Sequence, residues 1–312
     1  MDISIVIPVK NEEKSLKILY REILKVLKPL RKSFEIIFID DGSTDHSAEV
    51  IRKISKKDKS VNLIQFRGNF GKSEALAAGF KKAKGNIIIT LDADLQDDPA
   101  EIPKFLAKIN QGYDLVVGWK KKRKDPLSKV LPSRIWNFMT ATLSGVKLHD
   151  FNCGLKAYKA EVAKSLILYG ELYRLIPILA AEKKFKITEV PVHHRPRRFG
   201  KSKFGWERFM KGFLDMITVV FLTKFIRRPA HFFGSLGIGL FSTGFIIGLY
   251  ISYLRLTTGN IQNRHPLLLL GILLMVIGIQ LFSTGLLAEM IVYQNHQFRK
   301  KNLRVEIPKS QF

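Results

Sequence analysis

Two hydrophobic periods alternate along the first two hundred positions, and a third pattern takes over after them. Short runs rich in β-branched residues, Ile3–Val9, Phe34–Ile39, Val61–Phe66, 86–91 and Asp114–Gly118, predict buried strands. Between them the apolar positions recur every three to four residues. Leu16, Leu19, Ile23, Leu24 and Leu27 predict a helix running to about Leu30, and Ser73–Ala83 and Glu101–Asn110 predict two more. Strands alternating with helices imply right-handed βαβ units, an α/β fold with a Rossmann-like, mostly parallel sheet. A later strand is expected at Ile187–His193. Beyond it, Trp206–Arg228 is aromatic and basic, with Phe209, Phe213, Ile217 and Phe221 about four apart, the pattern of helices lying in a membrane interface. Phe232–Leu254 and Pro266–Ala288 then run without a charge. At ~1.5 Å per residue each reaches ~34 Å, enough for a ~30 Å hydrocarbon core. The expected organisation is a domain over 1–205, juxtamembrane helices over 206–231, a transmembrane hairpin over 232–295 and a basic tail over 296–312.

The polar positions fall at the carboxyl ends of the strands. The second strand ends in Asp40-Asp41-Gly42-Ser43-Thr44-Asp45, and the run at 86–91 ends in Asp92, Asp94, Gln96, Asp97 and Asp98. In open α/β sheets the ligand crevice lies beyond those ends. Asp92 and Asp94 can both reach one hard cation, with Gln96 adding a neutral oxygen, which suits Mg²⁺ or Mn²⁺ completed by substrate phosphates. A polar turn capping the next helix is the alternative, and Asp97 and Asp98, ahead of Pro99, are expected to serve as that cap. Lys72 and Arg67 complete a crevice suited to a ligand carrying hydroxyls and phosphates. Gly71-Lys72-Ser73 lacks the full spacing of a phosphate loop, and GxGxxG is absent, which argues against an ordinary dinucleotide dehydrogenase.

Charge narrows the partners. The net charge is +25 with a pI of about 10.1, pointing to anionic ligands or an anionic membrane surface. The two apolar runs decide for a membrane protein and against a nucleic-acid binder. The basic run from Lys120 continues into Ser133-Arg134, and Arg123 and Arg134 are expected to hold a phosphate at the membrane surface. Lys224, Arg227 and Arg228 precede the first span and Arg299, Lys300, Lys301 and Arg304 follow the second, so both ends should face the cytosol. A single cysteine, Cys153, and an N-terminus without a cleavable signal fit a cytosolic domain over 1–205. Adjacent His193 and His194 would face opposite ways in a strand, which argues against zinc. Gly237, Gly239, Gly244 and Gly248 could pack spans between subunits of a homo-oligomer.

Together IPVKNEE, DDGSTD, LDADLQDDP, the Arg-x-x-Gly-x-Ser-Lys stretch at Arg197–Lys203 and RRPAHFFG before the first span occur in an order that resembles the family-two glycosyltransferases of GT-A fold. Within them the chain is similar to the polyisoprenyl-phosphate branch, which includes dolichol-phosphate mannosyltransferase and undecaprenyl-phosphate glucosyltransferases. The resemblance covers essentially the whole chain. It implies a nucleotide-sugar pocket lined by Pro8, Val9, Asn11 and Glu12, with Asp40 near the base or ribose and Asp41 and Lys72 in the same crevice. It implies Asp92, Asp94 and Gln96 on a metal, Arg123, Ser133 and Arg134 on the lipid phosphate, and Arg197, Ser202 and Lys203 closing over the donor. Lys120 stands where the family often has arginine, which puts a role there in doubt.

The implied reaction is inverting transfer of a sugar from a UDP- or GDP-sugar to dolichyl or undecaprenyl phosphate, in one displacement. An acceptor phosphate with a second pKa of ~6 is already ionised and needs no base. Asp150 would be the base only if the acceptor were an alcohol, and otherwise would orient Arg123 or Arg134. The competing readings are transfer to a lipid hydroxyl or a polysaccharide, and a basic membrane adaptor without activity.

Overall fold

The computed structural model describes residues 1–121, 127–196, 229–261 and 263–302. The chain divides into two compact units, Met1–Val219 and Val220–Phe312.

The first unit is built on one seven-stranded sheet. Its strands are β1 (Ile3–Val9), β2 (Phe34–Asp40), β3 (Val61–Gln65), β4 (Ile87–Thr90), β5 (Leu115–Trp119), β6 (Lys156–Lys159) and β7 (Ile187–Pro191), in the order β3-β2-β1-β4-β6-β5-β7. β1 pairs in parallel with β2 and β4, and β5 with β7. β6 alone runs the other way, wedged antiparallel between β4 and β5. The sheet is therefore mixed but mostly parallel, and β1, β2 and β4 end at one rim as expected. β1 is buried along nearly its whole length, because helices cover both faces of a parallel sheet.

The helices of this unit are α1 (Glu13–Leu27), α2 (Ser47–Lys57), α3 (Lys72–Lys82), α4 (Ile102–Asn110), α5 (Leu127–Ser144), α6 (Ala160–Ser165) and α7 (Ile176–Glu182). α1 shows how the period sets the packing. Leu16, Leu19, Ile23 and Leu27 are sealed in the core, while Leu24 is turned partly outward. Full burial of such a side chain contributes roughly 1.5–3 kcal/mol. α2 starts at Ser47, whose N–H donates to Asp45 Oδ1 at 3.0 Å, so the turn before the helix is closed by Asp45.

The second unit contains α8 (Pro229–Thr258) and α9 (His265–Asn302), each with a stretch long and apolar enough to cross a bilayer. They form an antiparallel hairpin closed by glycine. A Cβ on Gly237 would meet Gly278 O at 2.6 Å, and one on Gly244 would meet Gly271 O at 2.4 Å. These two glycines are thus occupied within the hairpin, whereas Gly239 and Gly248 meet nothing within 4 Å. Glu289 Oε2 accepts the Ala230 N–H at 3.2 Å, satisfying one of the free donors at the start of α8.

Candidate active site

Three loops lock together over the rim. Asn11 sits at φ 52°, donates its N–H to Ser43 Oγ at 2.9 Å and accepts the Thr44 N–H at 2.8 Å. Glu12 donates its N–H to Ser47 Oγ at 2.8 Å, and Lys10 Nζ donates to the Asp41 and Gly42 carbonyls at 3.0 and 2.5 Å. The loop after β1, which carries Pro8, Val9, Asn11 and Glu12, is thereby fixed on the loop after β2. Gly42, at φ 62°, approaches Gly68 so closely that a Cβ would fall 2.4 Å from its carbonyl carbon, so only glycine fits.

The two aspartates at the end of β2, Asp40 within it and Asp41 just past it, have separate tasks. Asp40 is fully buried; its Oδ1 accepts the Ser43 N–H at 3.2 Å, and its Oδ2 has no hydrogen-bond partner among the described residues. Asp41 instead accepts the N–H groups of Phe70 at 2.7 Å and Gly71 at 3.0 Å. That clasp ends one residue before Lys72, the first residue of α3, and so sets where the lysine starts.

Lys72 Nζ reaches Asp92 Oδ1 at 2.5 Å and lies 5.1 Å from the centroid of the Tyr173 ring. Burial raises the Asp92 pKa, but the Lys72 ammonium outweighs it and holds the carboxyl below its ordinary value. Burial likewise lowers the Lys72 pKa, and the Asp92 charge reverses the shift upward.

Behind Asp92 stands Asp97. Sequence reasoning had Asp97 and Asp98 as helix caps, and only Asp98 is one, accepting the Ala100 N–H at 2.9 Å. Asp98 also pairs with Arg195, whose other nitrogen binds Glu22, each at 2.7 Å. Asp97 is buried, accepts the Asp92 N–H at 3.4 Å and takes Lys120 at 3.3 Å. Burial works against the Lys120 charge, and the Asp97 carboxylate more than compensates, raising the pKa. Lys120, a position in doubt from sequence, is thus a buried counter-charge.

Gly154 makes this crowding possible. A Cβ there would lie 2.5 Å from Asp92 Oδ2 and 2.6 Å from Asp97 Oδ2, so the two carboxylates converge over a bare backbone. Two residues on, Lys156 is buried and donates to the Cys153 carbonyl. Burial brings its pKa down to about 8. A cavity of about 10 Å³, room for one water, lies among Lys72, Asp92, Gly154, Lys156, Tyr158 and Tyr173. Lys156 and Tyr158 share it because alternate residues of β6 line one face, and Gly154 joins them from the turn just before the strand. Sequence reasoning missed Gly154, Lys156 and Tyr173; the alternation along 154–158 was the available signal for the first two.

Asp94 and Gln96 lie on the same turn, with Asp94 Oδ1 accepting the Gln96 N–H at 3.1 Å and Leu95 at φ 64°. Among the described residues no three of His, Cys, Asp and Glu form a group able to hold a metal. Asp150 is buried and its Oδ1 accepts the Asn152 N–H at 3.0 Å. Ser133 is half-buried on α5, which also carries Arg134. Arg123, the Arg134 side chain, Arg197, Ser202, Lys203 and the expected juxtamembrane helices lie outside the described residues. His193 is exposed and His194 buried, so the pair does face opposite ways.

Residues 4–167 match the family described as glycosyl transferase family 2. Dodecaprenyl-phosphate galacturonate synthase of Rhizobium johnstonii is 37% identical over 296 residues, covering 93% of this chain and 88% of the relative. Undecaprenyl-phosphate 4-deoxy-4-formamido-L-arabinose transferase of Pseudomonas aeruginosa is 36% identical over 289 residues, covering 92% and 84%. Among solved structures, glucosyl-3-phosphoglycerate synthase from Mycobacterium tuberculosis, in complex with Mn²⁺, UDP and glucosyl-3-phosphoglycerate, superposes with a TM-score of 0.55. It covers 71% of this chain and 79% of its own at 19% identity, a likeness of fold.

Proposed function

The chain belongs to glycosyl transferase family 2, and from that premise we propose that it transfers a sugar from a nucleotide-diphosphate sugar to a polyisoprenyl phosphate. The relatives named for dodecaprenyl and undecaprenyl phosphate support the acceptor class. One observation carries the placing of the chemistry: the Asp92 carboxylate, at the end of β4, already holds a cation, the Lys72 ammonium.

That ammonium tests whether the residues suit a divalent ion. Asp92, Asp94 and Gln96 follow β4 on one turn, their side-chain donors are hard oxygens, and a stand-in cation, the Lys72 ammonium, sits on Asp92. The set fits Mg²⁺ or Mn²⁺, with Asp92, Asp94 and Gln96 as the protein's share and substrate phosphates supplying the rest. A bound divalent ion supplies Lewis-acid stabilisation of the departing nucleotide diphosphate. Pro8, Val9, Asn11, Glu12 and Asp40 line the nucleoside side. Lys72, Arg197, Ser202 and Lys203 meet the donor phosphates. Arg123, Ser133 and Arg134 hold the acceptor phosphate, which is ionised at neutral pH and attacks without a protein base. The result is one displacement with inversion. The helices α8 and α9 anchor the enzyme, with both termini and the catalytic unit on the cytosolic side by the positive-inside rule.

The test is a panel of UDP- and GDP-sugars with Mg²⁺ or Mn²⁺ against undecaprenyl and dolichyl phosphate. Labelled polyprenyl-phosphate sugar of inverted anomeric configuration is the expected product. Label in glycerolipid or polysaccharide, or a retained configuration, would overturn the proposal.

A further inference from the structure

We propose that Lys72 is a resident counter-cation of Asp92 which gives up the carboxylate far more readily when a nucleotide diphosphate arrives, so that metal and nucleotide bind this site with strong positive coupling. The inference rests on the reading of Asp92 as a metal ligand.

Three lysines reach the floor of the site, and two are committed elsewhere. Lys120 is paired with buried Asp97, and Lys156 donates to the Cys153 carbonyl. Lys72 is differently placed. Its side chain keeps 27% of its surface exposed, and its ammonium lies between the Asp92 oxygen and the face of Tyr173. The backbone at its root is held by the Asp41 clasp on Gly71. The root of the stem is therefore anchored, while the charged tip is held by Asp92 and the Tyr173 ring alone among these contacts and stays partly open to solvent.

A divalent ion on the same carboxylate would stand within a few ångströms of that ammonium, and like charges so close repel strongly in a partly desolvated site. Without nucleotide, the protein's own cation competes for Asp92. A diphosphate changes the balance: its negative charge accepts the ammonium, Asp92 is released, and phosphate oxygens complete the metal's ligand set. α3 begins at Lys72, and its N-terminal dipole favours phosphate and disfavours a further cation. By linkage, whatever factor nucleotide adds to metal affinity, metal adds to nucleotide affinity.

Mn²⁺ binding to the full chain in detergent, read from the loss of the free-ion paramagnetic resonance signal, tests this without turnover. Wild type is expected to bind Mn²⁺ weakly alone and on the order of a hundredfold more tightly with saturating UDP or GDP, near the top of the usual coupling range. Lys72→Met removes the competitor. It is expected to tighten nucleotide-free Mn²⁺ binding about tenfold, and the coupling ratio should fall by the same factor. Lys72→Gln should behave alike, giving a second neutral variant if the first folds poorly, and Lys72→Arg should keep the wild-type pattern. Nucleotide-free Mn²⁺ binding that is unchanged or weaker in both neutral variants overturns the counter-cation role. Asp92→Asn separates the premise from the inference: if it binds Mn²⁺ as wild type does, the ion is not on Asp92, and the metal assignment falls together with this inference.

Discussion

Lys120 and Asp97 form an ion pair at 3.3 Å, with side chains 14% and 1% exposed. Removing either partner alone strands the other as a buried charge, at a cost of roughly 3–5 kcal/mol. Lys120→Met and Asp97→Asn are each expected to destabilise the first unit by that order, and the double variant to recover much of the loss. Urea unfolding followed by tryptophan fluorescence measures it. Strict additivity of the two losses would mean that the pair is not coupled.

Asp41 is expected to act on the donor through Lys72. In Asp41→Ala the N–H groups of Phe70 and Gly71 lose their acceptor, and the start of α3 loosens. The donor KM should rise about tenfold or more while kcat changes less, the pattern of lost binding and not of lost chemistry. Steady-state kinetics at saturating acceptor separates the two.

Gly154→Ala inserts a methyl group where two carboxylate oxygens lie within 2.6 Å. Something must shift, and displacement of catalytic groups by ~1 Å can lower the rate on the order of a hundredfold. Turnover should fall far more than thermal stability. An active Gly154→Ala enzyme would show that Asp92 needs no such close approach.

Cys153 gives the stability a pH dependence of known sign. Burial pushes the thiol up to about 12 from an ordinary value of 9.0. Between these values the folded chain keeps a proton that the unfolded chain releases, so this contribution is fully present below pH 9 and is lost as pH rises towards 12. Cys153→Ala should flatten that part of the stability–pH curve. At pH 8 a maleimide should label native protein far more slowly than protein in urea.

The parallel half of the sheet and the acids at its rim were legible, because strand and turn signals are local: β2 and β4 read as apolar runs ending in Asp40-Asp41 and in Asp92, and β1 as one ending at Lys10-Asn11-Glu12-Glu13. The pairing of these acids was not. Asp97 meets Lys120, and Asp92 meets Gly154, across separations that only the folded sheet closes. Both depend on β6, a strand of four residues whose alternation can mark a strand but not the two neighbours it lies between. Asp97 in particular carries the same local signal as Asp98, a carboxylate ahead of Pro99, and tertiary context gives the two opposite fates.

That short strand also makes the site intolerant of slippage. β6 sits between β4 and β5 through Lys156↔Thr90 and Lys156↔Val117, pointing against both neighbours. A shift by one residue would turn its two faces over. Cys153 and Leu155 would then occupy the places of Gly154 and Lys156, putting a thiol against the carboxylates and a hydrocarbon where the ammonium was. Seven residue pairings, four to β4 and three to β5, thus act as a tumbler lock, in which charge balance at the centre of the enzyme is right in one alignment and wrong in the next.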